Sequence, residues 1–285
     1  MKLNFSSMSI LLCPFCKNSL HFDGNRSFVC QSAHNFDVSK QGYLNLLPVN
    51  KKKSKSPGDN GMMVKARREF LEAGFYDPLM SEIKKIIDSS LVFSDESIQI
   101  LDSGCGEGYY SEQALSNLNN HTSDILGTDI SKHAVKSAAG KYKNNFYFVS
   151  SIYDLPIKSK SLDLVLSVFS PIDSKEFNRV LKEAGFLLVV SPGKNHMKEL
   201  AELIYDSFRP HQYTIEEKIS DSFSPISISQ KSFQIDIRDS VMLGNLLKMT
   251  PYYWNTSLEA QKKIELCNEI SIQCDFLISV FKSKN

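Results

Sequence analysis

Cys13, Cys16, Cys30 and His34 place three thiols and an imidazole in one short segment, spaced Cys-x2-Cys, thirteen residues, then Cys-x3-His. Four such side chains can surround a zinc ion tetrahedrally and leave no position for a substrate, which makes a structural centre. Each close pair straddles a tight turn, Pro14-Phe15 in one and residues 31–33 in the other. The stretch between the pairs can return as a hairpin through Asp23-Gly24-Asn25, bringing all four together. The alternative is scattered core cysteines in a reduced protein, which leaves the two paired spacings unexplained.

A second stretch carries different chemistry. In Leu101-Asp102-Ser103-Gly104-Cys105-Gly106-Glu107-Gly108, the glycines allow the backbone to approach a ligand closely. Asp129 follows Gly108 by 21 residues, where a carboxylate at a strand end can accept from both hydroxyls of a ribose. A dinucleotide is the obvious competitor. Its fingerprint G-x-G-x-x-G, however, has the third glycine one residue later, and Asp102 and Glu107 would set negative charge beside a pyrophosphate. The ammonium and sulfonium of S-adenosylmethionine suit those carboxylates better. A purely structural glycine turn is the third reading.

These residues need elements to hold them. Residues 62–73 show helical periodicity that Gly74 can stop, and Asp77-Pro78 reads as the cap and first turn of another helix. From residue 98 strand and helix alternate. Strands are expected at 98–102, 124–129, 146–150, 161–168 and 185–190, and helices from about Tyr110, from Ser131 to Ala139 and over 174–182. That order predicts an α/β, doubly wound sheet with ligands at the carboxyl ends of its strands. The stretch after the third strand, 150–156, is where adenine docks in such folds. Residues 194–208 read as an amphipathic helix, and 226–228, 233–237 and 274–281 as strands finishing the sheet with an antiparallel edge.

At 285 residues, with 42% hydrophobic and 23% charged, the chain can bury a sizeable core. No apolar run is long enough for a membrane span or signal core, and six cysteines without a framework spacing do not suit a secreted protein. A soluble, cytoplasmic protein is expected. The net charge of +1 hides an asymmetry. Residues 1–61 carry eight Lys or Arg against three Asp, and residues 62–285 carry 25 against 29 acids. Lys51-Lys52-Lys53-Ser54-Lys55 supplies much of the basic excess. Such a front end suits a polyanion, or it is only a solvated linker. The expected organisation is a zinc-binding module at 1–47, a basic linker at 48–61 and a larger domain at 62–285.

With both candidate sites in one chain, the sequence resembles the bacterial 23S ribosomal RNA (guanine-N1)-methyltransferases of the RlmA type. Four stretches carry the resemblance and span nearly the full length. The first is the ligand set with His34-Asn35-Phe36-Asp37 and Gly42-Tyr43-Leu44-Asn45-Leu46-Leu47-Pro48. The second is Pro57-Gly58-Asp59 followed by Ala66-Arg67-Arg68-Glu69-Phe70-Leu71-Glu72-Ala73-Gly74. The third and fourth are Gly104-Cys105-Gly106-Glu107-Gly108-Tyr109-Tyr110, and Met249-Thr250-Pro251 leading to Trp254.

The resemblance implies a Rossmann-like, S-adenosylmethionine-dependent methyltransferase domain behind a small zinc-binding domain. It implies zinc on Cys13, Cys16, Cys30 and His34, methyl-donor contacts from Tyr76, Gly106, Glu107 and His196, and a homodimer. With the residues read above, the cofactor set is Tyr76, Asp102, Gly104, Gly106, Glu107, Asp129 and His196. Taken alone, Tyr76 reads as a core aromatic and His196 as a water-exposed histidine at a helix start. Three stretches depart from relatives: Ser103 replaces an apolar residue, Phe169-Ser170-Pro171 stands near their Tyr-Ala-Pro, and Lys182-Glu183-Ala184-Gly185 lacks their Lys-Pro-Gly-Gly. Relatedly, many small-molecule methyltransferases carry Asp at the position of Ser151.

Methylating guanine N1 requires in-line attack on the sulfonium methyl while the N1 proton leaves, so positioning should carry the rate and no nucleophilic triad is expected. Asp173, His196 and Ser170 lie near the reaction centre in chain terms, each with a surface or capping role as its ordinary reading. Tyr252-Tyr253-Trp254 can stack a flipped base or form a core wedge. The zinc module and Lys51 to Lys55 are assigned to the phosphates of a folded RNA hairpin. Two other functions stay open: a small-molecule (quinone-type) methyltransferase and a non-catalytic RNA-binding protein.

Overall fold

The computed structural model describes residues 7–51, 54, 56–115, 118, 122–205, 207–267 and 269–284. Lys52, Lys53 and Lys55 of the basic cluster lie outside the described residues.

The front end forms a small antiparallel sheet of β1 (His21–Phe22), β2 (Ser27–Val29) and β3 (Asn35–Asp37). The hairpin turn is where the sequence put it. Asp23 Oδ1 accepts from the backbone N–H groups of Asn25, Arg26 and Ser27 at 2.9–3.0 Å, and Gly24 supplies the left-handed residue at φ +81°. The chain then does something the sequence did not signal. β4 (Tyr43–Asn45) leaves the small sheet and pairs in parallel with β7 (Phe146–Val149) as the edge of the large one.

Two helices precede the large sheet. Asn60 caps α1 (Gly61–Glu72) by accepting from the N–H groups of Met62 and Met63, both at 3.0 Å. α2 (Asp77–Ser90) differs from the expectation at its start: Tyr76 is the cap residue, and Asp77 is already helical. Its carboxylate is taken elsewhere, since Asp77 Oδ1 accepts from the Tyr109 hydroxyl at 2.8 Å. Strand and helix then alternate through β5 (Ser97–Ser103), α3 (Tyr109–Leu115), β6 (Thr122–Asp129), α4 (Lys132–Lys141), β7, β8 (Leu162–Val168), α5 (Ser174–Val180) and β9 (Leu181–Pro192). Ser131 caps α4 as expected, accepting from Ala134 N–H at 3.2 Å. The helix expected over 174–182 stops at Val180 because Leu181 is already buried and paired with Leu162.

After α6 (Lys198–Ile204) and α7 (Ile215–Ile219) comes β10 (Phe223–Ile237), then α8 (Ser240–Lys248), α9 (Leu258–Leu266) and β11 (Ile270–Ser283). The expected strands 226–228 and 233–237 are one strand with an irregularity between Pro225 and Ser227. α6 is shorter than the expected 194–208. The Asp275 carbonyl accepts from Gly193 N–H at 2.7 Å and its Oδ2 from Asn195 N–H at 3.1 Å, and Met197 takes a left-handed φ of +55°, so regular helix begins only at Lys198.

The large sheet runs β10-β11-β9-β8-β5-β6-β7-β4, parallel from β9 to β4 and antiparallel at β11 and β10. Strand order reverses between β5 and β8, so their carboxyl ends open a crevice at the switch point. β8 is buried at every position, as a central parallel strand must be. Alternation divides its neighbours between two cores. Ile100 and Leu166 face one with α1 and α2, and Leu101 and Val165 face the other. Met8, Leu11, Leu20 and Phe28 of the front end belong to that second core. Residues 8–47 are therefore packed into the body of the protein. Truncating residues 1–47 would therefore strip an edge strand and open a core shared with the larger domain. No helix among the described residues is long and apolar enough to cross a membrane.

Candidate active site and metal centre

The turns of the front end bring Cys13, Cys16, Cys30 and His34 together, with all four donor atoms within 4.8 Å of one another. Lys17 and Ala33 take left-handed φ of 60°, closing each turn so that Cys13 C=O accepts from Lys17 N–H and Cys30 C=O from Ala33 N–H, both at 2.9 Å. His34 Nδ1 lies 3.4 Å from Cys13 Sγ and 3.4 Å from Cys30 Sγ, and Cys16 Sγ lies 3.5 Å from Cys30 Sγ. Zinc bonds of about 2.3 Å to sulfur and 2.0–2.1 Å to nitrogen give tetrahedral edges of about 3.5–3.8 Å. The donors fit zinc. The N–H of Asn18 first, and then Ser32, hold the Cys16 thiol down at about 6, which favours the thiolate a metal needs.

The crevice at the switch point is a cavity of about 1140 Å³. Tyr76, Gly104, Gly106, Glu107, Asp129 and His196 all line it. Asp102 lies beneath, buried, with Oδ2 accepting from the Ser111 hydroxyl and Oδ1 left without a partner among the described residues.

The three glycines do different work. A side chain at Gly104, φ +78°, would meet Ser170 Cβ at 2.4 Å, and one at Gly108 would meet Tyr142 and Tyr147 at 2.9 Å. Both serve packing of the protein against itself. Gly106 has Arg67 Nη1 as its nearest neighbour at 3.6 Å and is the one that leaves space toward the cavity.

The acids are held by the backbone. Asp129 Oδ2 accepts from Gly106 N–H at 3.0 Å and Oδ1 from Ser131 N–H at 2.7 Å, which fixes the carboxylate and leaves each oxygen a further lone pair. Glu107 Oε1 accepts from Tyr109 N–H at 3.1 Å. Burial raises all three carboxyls. Asp102 is pushed up to about 7, chiefly by burial and further by Asp129 and Glu107 against the bond from Ser111. Glu107 and Asp129 are raised by burial in the same way. Crowded buried acids disfavour one another's charge and stabilise a cation brought among them.

Two residues were missed as site residues. Arg68 Nε donates to Glu107 Oε2 at 3.1 Å, and its Nη2 to the carbonyls of Ser137 at 3.0 Å and Glu107 at 3.4 Å. Arg67 pairs with Asp59, donates to the Met249 carbonyl at 3.2 Å and lines the cavity. Both stood in the quoted stretch 66–74, but only packing of α1 shows their partners.

His196 is buried, which corrects the reading of a water-exposed histidine. Its Nδ1 accepts from the backbone N–H of Asp275 at 3.2 Å, so the ring hydrogen sits on Nε2. Burial, reinforced by His211, holds its pKa down at about 3. The Tyr76 hydroxyl is buried at the cavity wall without a hydrogen bond among the described residues, with the Cys274 thiol beside it. Asp173 caps α5, accepting from Glu176 N–H at 2.9 Å, and Ser170 Oγ donates to the Ser103 carbonyl at 2.6 Å. Tyr252, Ser151, Ile152 and Trp254 also line the cavity, Trp254 toward solvent at 66% exposure. An open backbone at Gly106, a fixed acid at Asp129 and orphaned polar atoms on Tyr76 and Asp102 fit a ligand with hydroxyls and positive charge.

Comparison with known proteins gives the same two parts. Residues 11–55 match a family model described as RlmA, N-terminal, a zinc ribbon, and residues 94–232 match one described as a methyltransferase domain. The chain is 30% identical over 284 residues to YxjB of Bacillus subtilis (strain 168), provisionally named as a 23S rRNA (guanine-N(1)-)-methyltransferase, covering 95% of this chain and 97% of that protein. It is 28% identical over 277 residues to the 23S rRNA (guanine(748)-N(1))-methyltransferase of Streptomyces fradiae, covering 94% and 95%. The crystal structure of the YcgJ protein from Bacillus subtilis superposes with a TM-score of 0.50 at 16% identity, covering 74% of this chain and 99% of that one, a likeness of fold.

Proposed function

The chain belongs to the RlmA-type 23S rRNA (guanine-N1)-methyltransferase family, and from that premise we propose that it methylates N1 of a guanine in a hairpin of 23S ribosomal RNA. The observation that carries the reading is the union, in one packed body, of a Cys3His centre and an acid-lined crevice at the sheet's switch point.

S-adenosylmethionine supplies an electrophilic methyl on a sulfonium when bound. Asp129, fixed by Gly106 and Ser131, would accept from the ribose hydroxyls. Gly106 lets the backbone approach, and Tyr76 offers its unpartnered hydroxyl. His196, neutral with its hydrogen on Nε2, would donate to an anionic or carbonyl oxygen of the donor. Asp102 sits beneath the site, and Glu107 acts through its backbone and through the Arg68 clamp that orders the turn. None of Asp173, Ser170 and His196 is set as a base: the first caps a helix, the second is bound to a carbonyl, and the third has its Nδ1 lone pair taken by the Asp275 N–H and its hydrogen on Nε2. Positioning then carries the rate, as expected for methyl transfer from a cation.

The proposal also keeps residues 1–47 as the zinc-binding, RNA-recognising module, 48–61 as the basic linker and 62–285 as the methyltransferase domain. Zinc sets the module's surface, and the lysines meet phosphate. A cytoplasmic homodimer completes the proposal, the dimer being tested by light scattering. The function is tested by incubating the zinc-loaded full chain with methyl-labelled donor and naked 23S rRNA. Label in RNA, recovered as 1-methylguanosine after nuclease digestion, supports it. Label transferred to a quinone and not to RNA overturns it.

A further inference from the structure

Phe169 follows β8 at the carboxyl edge of the sheet, in the wall of the cavity. Its φ is +52°, a left-handed conformation that a bulky aromatic residue adopts only under constraint. The constraint is visible on both sides. Phe169 N–H donates to the Val190 carbonyl at 3.0 Å, and the next residue, Ser170, is held to the Ser103 carbonyl at 2.6 Å and to the Ser167 hydroxyl at 2.8 Å. The loop thus grips the glycine turn, where Gly104 lacks a side chain to admit Ser170. Phe276, 5.6 Å away and tilted by 47°, backs part of the ring, yet Phe169 stays 41% exposed. Its ring lies nearly parallel to His196, 6.0 Å away at 19°, while Tyr110 meets it edge-on at 6.3 Å. A rigid, backed, half-open ring beside the donor turn has the form of a shelf for another flat ring.

We propose that Phe169 is the stacking platform for the base that receives the methyl group, a positioning role that rests on the RNA methyltransferase reading. Strain in the backbone holds the ring at the boundary between the donor turn and the outer cavity. A base pulled from its helix then finds a flat apolar face in place of its lost neighbours. Trp254, 66% exposed in the outer wall, is the competing platform.

The test uses the zinc-loaded full chain with Phe169→Leu, Phe169→Tyr, Phe169→Gly and Trp254→Ala. Donor affinity is measured by calorimetry, methylation of the rRNA hairpin by label, and stability by thermal melting. F169L should lower kcat/KM for RNA by about 10- to 100-fold with donor Kd unchanged, and F169Y should restore most of it. F169G should melt at or above the wild-type temperature, since glycine relieves the left-handed strain, while methylation is lost. Full activity in F169L, or the large loss falling on W254A instead, overturns the proposal. So does joint loss of stability and activity in F169G, which would make the residue structural. A wild-type chain that binds donor yet leaves this RNA unmethylated overturns the functional reading itself.

Discussion

Replacing Asp129 by Asn changes one atom of the carboxylate assigned to the donor's ribose. Both carboxylate oxygens already accept a backbone N–H, from Gly106 at 3.0 Å and Ser131 at 2.7 Å, so the amide cannot turn without setting its NH2 against one of those donors. The variant loses one charge-assisted bond inside the turn and at least one to the ligand. A hydrogen bond to a charged group contributes about 1.5–3 kcal/mol. Donor affinity should therefore fall by roughly 10- to 100-fold, at about 1.4 kcal/mol per factor of ten. The melting temperature should also drop by a few degrees, at about 2–4 °C per kcal/mol for a chain of this size. The informative comparison is between S-adenosylmethionine and its demethylated product, titrated separately by calorimetry. Both carry the ribose, so both should weaken equally. If D129N bound both ligands as the wild type does, the ribose assignment would be refuted. If only the methylated ligand weakened, the acid would be acting on the sulfonium instead.

Removing zinc should unfold more than the front end, because Cys13 and Cys30 share a core with Leu101 and Phe148. Chelation should lower the melting temperature sharply and abolish RNA binding, within the about 10–16 kcal/mol that structural zinc supplies in isolated fingers; a chelated, metal-free chain that melts unchanged contradicts this. Arg68→Ala should destabilise the protein by about 2–4 kcal/mol, because it leaves the buried Glu107 carboxylate without its guanidinium, and Arg68→Lys should recover only part. Denaturant melts of the two variants decide the matter, and an undiminished midpoint in R68A refutes the clamp. Asp102 is raised in the folded state to about 7, so its contribution to stability is fully present below its unfolded value of 3.8 and is lost as pH rises through about 7. The ligand-free chain should lose stability over that window by at most about 1.4 kcal/mol per pH unit from this group. Asp102→Asn should flatten the profile, and an unaltered slope would show that Asp102 titrates normally.

What could be read in the sequence was local. The paired cysteine spacing, the Asp23 turn, the Ser131 cap and the order of strands from 98 onward each depend on a few neighbouring residues, and all are in the structure. What could not be read depends on distant contacts. Arg68 meets Glu107 across 39 residues through the packing of α1. β4 has three residues, too few for any periodicity, and becomes a strand only because β7 offers it an edge. The helix expected from 194 is cut short by Asp275, eighty residues on from Asn195. His196 read as exposed for the same reason: the backbone of β11 that buries it is remote in the chain. The glycine turn was legible as a strand-to-helix turn, but the division of labour among its glycines was not, because Ser170 and Tyr147 are supplied by other strands and loops.

The most direct test of the whole account is mass spectrometry of 23S rRNA from a strain in which this gene is deleted. The deleted strain should lack one N1-methylguanosine, restored by the wild-type chain and not by D129N. An unchanged set of methylguanosines in the deleted strain would contradict it.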